Sequence, residues 1–262
     1  MSKSIISRHI HDLEQAQLIR LDSENPVEDS RKKPYVLAID RIQITFPKKI
    51  YLPFQCKMVE VKLGYFSDFQ ALPSCGLASA VGVIGALDDP RSFVLNERID
   101  ASLLWFTEGY VEYVIPNFLE ADQTPEMLDI SLELSSEFPE SNNNWPSDIT
   151  FTINDIKVGT WTSPGNFSDV RGRLTPEWWD SRFSQYGILK HLRINNKDTG
   201  IDGVKISDVT LSSLDLKSSP FIKLKIGIDP EAEHKGGLTI FGEHLGNYPQ
   251  NIVISLYYSE EN

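Results

Sequence analysis

The densest gathering of side chains able to do chemistry lies between Trp161 and Trp179, in the stretch WTSPGNFSDVRGRLTPEWW. The indole faces of Trp161, Trp178 and Trp179 can stack on a sugar ring, while Asp169, Arg171 and Arg173 can bind hydroxyls or a carboxylate. The same residues also read as a loop turned at Gly165 and Gly172, its tryptophans capping a β-sandwich. Glycoside hydrolysis would need two carboxylates in concert, and Glu97/Asp100, Glu108/Glu112 and Glu177/Asp180 are candidate pairs. With 37 acidic residues such pairs arise by chance, so no catalytic residue is assigned and no enzyme is expected.

Metal chemistry finds little support. A soft-metal site needs clustered thiolates or a His/Asp set at ligand spacing. Cys56 and Cys75 have no His between them, and His191, His234 and His244 are dispersed, although His234 and His244 could meet across a hairpin. The glycines of GLASAVGVIGALDD lack the Gly-Lys-Ser/Thr of a phosphate-binding loop. Neither a metal nor a cofactor is expected.

The chain of 262 residues carries a net charge of −12, which argues against a surface that binds nucleic acid throughout. The charge is uneven. Residues 1–50 hold nine Lys/Arg against seven Asp/Glu, whereas the remainder holds sixteen against thirty. A small, mildly basic head thus precedes a large acidic body. No signal-peptide pattern opens the chain and no apolar run reaches about eighteen residues, so a cytoplasmic protein with no membrane partner is expected. In that compartment Cys56 and Cys75 read as reduced, buried thiols.

These side chains must be held by elements that periodicity reveals. Ile6, Ile10 and Leu13 share one face of a helix spanning about Ser4 to Gln17, with Ser4 as its N-cap; Ser4, Arg8, His11 and Gln15 lie opposite. Two strands follow, Leu18–Asp22 and Tyr35–Asp40, joined by a charged loop. Beyond Lys57 the chain alternates as strands do, in LDISLEL, FIKLKIGI and NIVISLYY. Asn154-Asp155 reads as the two-residue turn of a hairpin. Many short strands without a long helical pattern predict an antiparallel β-sandwich or jelly roll.

The string SIISRHIHDLEQAQLI, through Ser4, Ser7, His9, Ile10, Leu13, Ala16, Leu18 and Ile19, resembles the recognition helix of ArsR-type winged-helix repressors. The likeness covers about residues 2–40 and has no counterpart for the preceding scaffold helices, which implies a shortened winged helix. It implies a helix in the DNA major groove and a wing on the flanking backbone. Ser4, Ser7, Arg8 and His11 would then contact DNA, and Arg31, Lys32 and Lys33 would contact phosphates. The stretches SCGLAS, SDITFTINDIKVGTW, SPGNFSDVRGRLTPEWW and GGLTIFGEHLGNYPQNI resemble the C-terminal domain of predicted bacterial regulators that place a β-sandwich behind a winged helix.

The expectation is therefore a mainly β protein: a partial winged helix over 1–50, with recognition helix and wing, then a sandwich over 51–262. It would be a homodimeric regulator binding double-stranded operator DNA, with a small molecule or sugar as effector. The alternative is a carbohydrate-binding sandwich without independent DNA binding.

Overall fold

A computed structural model describes residues 3–22, 33–39 and 54–260. The chain divides into two compact units, 1–53 and 54–262.

In the first unit, α1 (Lys3–Gln15) leads into β1 (Ile19–Leu21), which pairs antiparallel with β2 (Tyr35–Leu37). The helix begins at Lys3, so Ser4 sits inside its first turn and not at its cap. It ends in a Schellman turn: Gln17 N–H donates to Glu14 C=O and Leu18 N–H to Leu13 C=O. Gln17 adopts the left-handed conformation this turn demands, with φ of 58°. Both strands are shorter than their sequence patterns, and Arg31, Lys32 and Asp40 lie outside the described residues.

The regular structure of the second unit is strand, apart from short 3-10 turns. Its elements are β3 (Gln55–Val61), β4 (Asp68–Ala78), β5 (Val83–Ile84), β6 (Leu103–Pro116), β7 (Gln123–Ser135), β8 (Ser147–Ile153) and β9 (Ile156–Ser163). They continue with β10 (Ile188–Asn195), β11 (Thr199–Ile201), β12 (Val204–Ser207), β13 (Phe221–Ile228), β14 (Leu238–Phe241) and β15 (Ile252–Glu260). Every pairing is antiparallel. One layer runs β3-β15-β7-β10-β11-β12 and the other β5-β4-β6-β13-β8-β9. Strand β14 joins them, pairing with the start of β6 and the end of β7. The result is a sandwich closed along one side.

The core lies between the layers and follows the period of two. Leu128, Ile130, Leu132 and Leu134 of β7 face Ile222, Leu224, Ile226 and the β8 residues Ile149, Phe151 and Ile153, all buried in one cluster. Each such side chain contributes roughly 1.5–3 kcal/mol by leaving water. The β8–β9 hairpin turns at Asn154 and Asp155, with φ of 48° and 65°, the left-handed pair of a type I′ turn.

Strand β6 departs from simple alternation. Leu104 and Phe106 enter the main core, while Leu103 and Trp105 point the other way and are buried with Ala78, Trp179, Phe241 and Leu245 in a second cluster. A strand apolar on both faces needs a cover on each. The long connection between β9 and β10, residues 164–187, provides the outer one.

The outer face of β7 is polar yet buried, and Glu133 shows how that is tolerated. Its carboxylate accepts hydrogen bonds from the backbone N–H of Gly187 (2.8 Å), Asn247 (3.0 Å) and Tyr248 (3.0 Å), tying two loops to the sheet. Burial still pushes its pKa up to about 7 against those bonds. Gly246, at φ of 93°, leaves room for the carboxylate, since a Cβ there would lie 2.6 Å from its oxygens. Glu133→Ala strands these donors and should lower unfolding stability by roughly 3 kcal/mol, read as a drop in the urea midpoint, with Glu133→Gln losing less.

Candidate functional site

The covering loop is fixed by its own polar groups. Arg171 donates to the carbonyls of Thr175, Pro176 and Trp179, gathering them around one guanidinium. Thr175 Oγ1 donates to Gln185 O at 2.7 Å, and Gln185 Nε2 donates to Asp180 O and Phe183 O. Phe167 stacks on Tyr186 at 5.3 Å, and Asp169 accepts from the Tyr186 hydroxyl at 2.7 Å. That hydroxyl is pushed up to about 12 by burial and by the neighbouring carboxylate.

So held, the loop lays Trp179 edge-on against Trp105 at 5.8 Å between ring centroids, with Trp178 at 5.5 Å and Phe183 at 5.4 Å from Trp179. Trp179 Nε1 donates to Ser184 O (2.9 Å) and Trp178 Nε1 to Ala80 O (2.8 Å), so both indoles are locked. Trp179 is buried, whereas 39% of Trp178 stays exposed. Trp105 in turn needs Gly76 beneath it, because a Cβ there would come within 2.3 Å of the indole.

The cover is incomplete. Between loop and sheet lies a cavity of about 440 Å³, walled by Trp105, Trp178, Trp179, Phe138 and Phe183. Four carboxyl groups also line it: Asp88, Glu137, Glu140 and Asp180. Asp180 and Glu140 stand beside Arg182 at 3.0 Å and 3.6 Å, and this pairing holds the Asp180 carboxyl below its ordinary range. Glu137 is buried and accepts from Ser74 Oγ (3.1 Å) and Thr239 Oγ1 (3.0 Å). Burial pushes its pKa up to about 8 despite those bonds, with Asp88 adding to the rise. The adjacent Cys75 thiol is pushed up to about 11, by burial first and then by Asp88, Asp89 and Glu137. Asp88 Oδ1 accepts from Cys75 N–H at 3.0 Å, which fixes the opposite wall.

Of the residues singled out from sequence, Trp178 and Trp179 line this cavity. Trp161 does not: it packs against the main core and carries Lys190 over its ring at 4.7 Å. Asp169 is engaged with Tyr186, Arg171 binds the loop's carbonyls, and Arg173 is exposed, its N–H donating to Asn247 Oδ1. The charges of Asp169 and Arg171 build the loop, and none of the three residues lines the cavity. Cys56 is exposed, a correction to its reading as buried, because its position on edge strand β3 faces outward; Cys75 is buried. His234 bonds Asp148 at 3.3 Å and His244 lies 3.5 Å from Glu243, so the two histidines have separate partners. Of the three carboxylate pairs, Asp180 alone contributes to the cavity lining, and Glu112 pairs with Lys225 at 3.3 Å.

Sequence reasoning missed Trp105, Glu137, Phe138, Phe183 and Asp88. One signal was present. LLWF at 103–106 is apolar at consecutive positions, whereas neighbouring strands alternate, and that pattern marks a face with a second cover.

In the first unit, Ser7, Arg8 and His11 are exposed on α1, and Lys33 is exposed just before β2. Ile6 and Leu13 also keep 45% and 40% of their surface in water. No helix among the described residues is long and apolar enough to cross a membrane.

No family model matches the chain. No curated protein sequence matches it either. Matching solved structures include a carbohydrate-binding module, CBM36, in complex with calcium and xylotriose. It is 12% identical, with 63% of this chain and 85% of that chain covered at a TM-score of 0.26.

Because the Glu137 pKa is raised on folding from an ordinary 4.5 to about 8, its contribution to stability is present below pH 4.5 and is lost as pH rises through about 8. The urea midpoint should fall between pH 5 and pH 8.5, and Glu137→Gln should flatten that fall. Denaturation curves followed by tryptophan fluorescence at four pH values check this.

Proposed function

We propose that residues 54–262 form a ligand-binding β-sandwich and that the cavity beneath the 164–187 loop takes a small carbohydrate. The observation that carries this reading is the pairing of a fixed, half-exposed indole, Trp178, with carboxyl and hydroxyl groups on the facing walls. A sugar ring offers a C–H face for an aromatic platform and hydroxyls around its edge for polar groups. The cavity's volume is that of a small-molecule site. Since Trp178 is already held by its bond to Ala80, little side-chain freedom is lost when a ligand stacks on it.

Titrating a monosaccharide and disaccharide panel while following tryptophan emission tests this. Binding should be saturable, and Trp178→Ala should weaken it roughly tenfold, about 1.4 kcal/mol, without unfolding the chain. A folded protein that responds to no glycan in the panel would overturn the reading.

A second reading concerns residues 1–53, and one observation favours it. A helix with Ser7, Arg8 and His11 exposed runs directly into an antiparallel ribbon, the order that a recognition helix and wing require. We infer an ArsR-like recognition helix and wing that bind operator DNA as a two-fold dimer, with the sandwich sensing the effector. Arg8→Ala should then relax sequence preference, and neutralising Lys33 should weaken binding to all sequences while lowering the salt slope by about one. Fluorescence anisotropy against DNA flanking the chain's own gene, beside a scrambled control, measures both. Unchanged affinity and preference in Arg8→Ala would retire this reading.

A further inference from the structure

The walls of the cavity have a charge pattern that a neutral sugar does not need. None of its lining side chains is Lys, Arg or His, yet four are carboxylic. Two of these, Glu140 and Asp180, are balanced at the rim by Arg182. The other two are not: among the described residues neither Asp88 nor Glu137 has an ion-pair partner, and the donors to Glu137 are neutral, the hydroxyls of Ser74 and Thr239 and the backbone N–H of Phe138. A separate observation points to a polar ligand. Ser184 lines the cavity and is 5% exposed, and among the described residues its buried Oγ has no hydrogen-bond partner. A buried hydroxyl left without a partner carries a desolvation cost that a bound polar group would relieve.

We propose that this cavity selects a ligand bearing an ammonium group flanked by C–H surface, with an amino sugar as the form that fits both the rings and the carboxyl groups. The inference rests on the reading of the cavity as the ligand site and names the ligand's charge. Trp105, Trp178, Trp179 and Phe183 supply aromatic surface, and a cation is attracted to the face of such rings. Asp88, and Glu137 once it has released its proton, supply negative charge in a largely apolar enclosure, where an ion pair is screened little by water. Ser184 Oγ can accept an ammonium N–H. Anionic sugars would meet carboxyl groups with no lining cation to offset them and are excluded.

This arrangement couples binding to a proton. The groups facing Glu137 are Ser74, Cys75 and Asp88 from the β4–β5 side and Thr239 from β14. Cys75 stays a neutral thiol in the working range, so Glu137 is the group that exchanges a proton when a cation enters. Its pKa, pushed up to about 8 by burial, means that it carries a proton at neutral pH and releases it when a cation binds. Affinity for a cation of fixed charge therefore rises with pH from 6 to 8, approaching tenfold per unit where one full proton is released.

The test uses the full chain and tryptophan fluorescence, with calorimetry to count protons. The probes are glucosamine, N-acetylglucosamine, glucose, glucuronate and tetramethylammonium, the last chosen because its charge cannot titrate. The expected result is glucosamine at least tenfold tighter than glucose or N-acetylglucosamine, no response to glucuronate, and tetramethylammonium binding that strengthens from pH 6 to pH 8. Glu137→Gln should abolish both the preference and the pH slope. The ligand ranking on the unaltered chain decides the matter even where that variant does not fold. Glucose binding as tightly as glucosamine would overturn the charge inference and leave the carbohydrate reading standing. Tetramethylammonium binding with no response to any sugar would do the reverse, keeping the ammonium and removing the carbohydrate. A folded chain indifferent to every probe would overturn both.

Discussion

An apolar sheet face cannot be left in water, and the outer face of β6 is apolar. Leu103 and Trp105 stand there back to back with Leu104 and Phe106, which the main core has already claimed. Burying such side chains stabilises the fold by roughly 1.5–3 kcal/mol each, so a cover for them is required. The 164–187 loop meets that need with Trp179 at its centre, and much of the loop's polar chemistry serves to keep that ring in place. Arg171 collects carbonyls, Gln185 and Thr175 cross-brace the turn, and Asp169 anchors Tyr186. The cavity exists because a loop is an imperfect lid for a flat strand.

The second constraint is electrostatic. The sheet faces away from the core carry carboxyl groups in buried positions, and each is handled differently. Glu133 is ringed by backbone N–H donors and acts as a clasp between loops. Asp129 is bonded by His191 at 3.1 Å and Arg193 at 2.8 Å, which hold its carboxyl below the ordinary range against the opposing effect of burial. Glu137 accepts from Ser74, Thr239 and the Phe138 N–H, and among the described residues it has no cation beside it. A buried carboxyl in that condition takes up a proton, and its position on a cavity wall makes it the group most responsive to what enters.

Much of the architecture was legible because alternation is a local property. The β7, β13 and β15 segments read correctly as sandwich strands, and Asn154-Asp155 announced its hairpin, because side chains on a pleat face opposite ways and few residue types tolerate positive φ. Composition of the site was less readable. The tryptophan-rich stretch was visible, but Trp161 ends β9 side by side with Lys190 while Trp178 and Trp179 sit seventeen and eighteen residues on, across a loop whose path depends on side-chain bonds with distant partners. Glu137 and Trp105 belong to segments that only the closed sandwich brings to that loop, so no spacing rule could join them. Cys56 was misread because a thiol's usual burial is a statistical habit, whereas an outward position on edge strand β3 is a geometric fact.

The most direct measurement of the central claim is the set of five indole N–H signals in a two-dimensional nitrogen–proton NMR spectrum, recorded while a sugar that quenches tryptophan emission is titrated in. If the ligand enters beneath the 164–187 loop, the Trp178 and Trp179 signals shift with saturation while Trp161, on the far side of its strand with Lys190, stays still. Movement of Trp161 with Trp178 and Trp179 unmoved would contradict the account and send the search to another face of the sandwich.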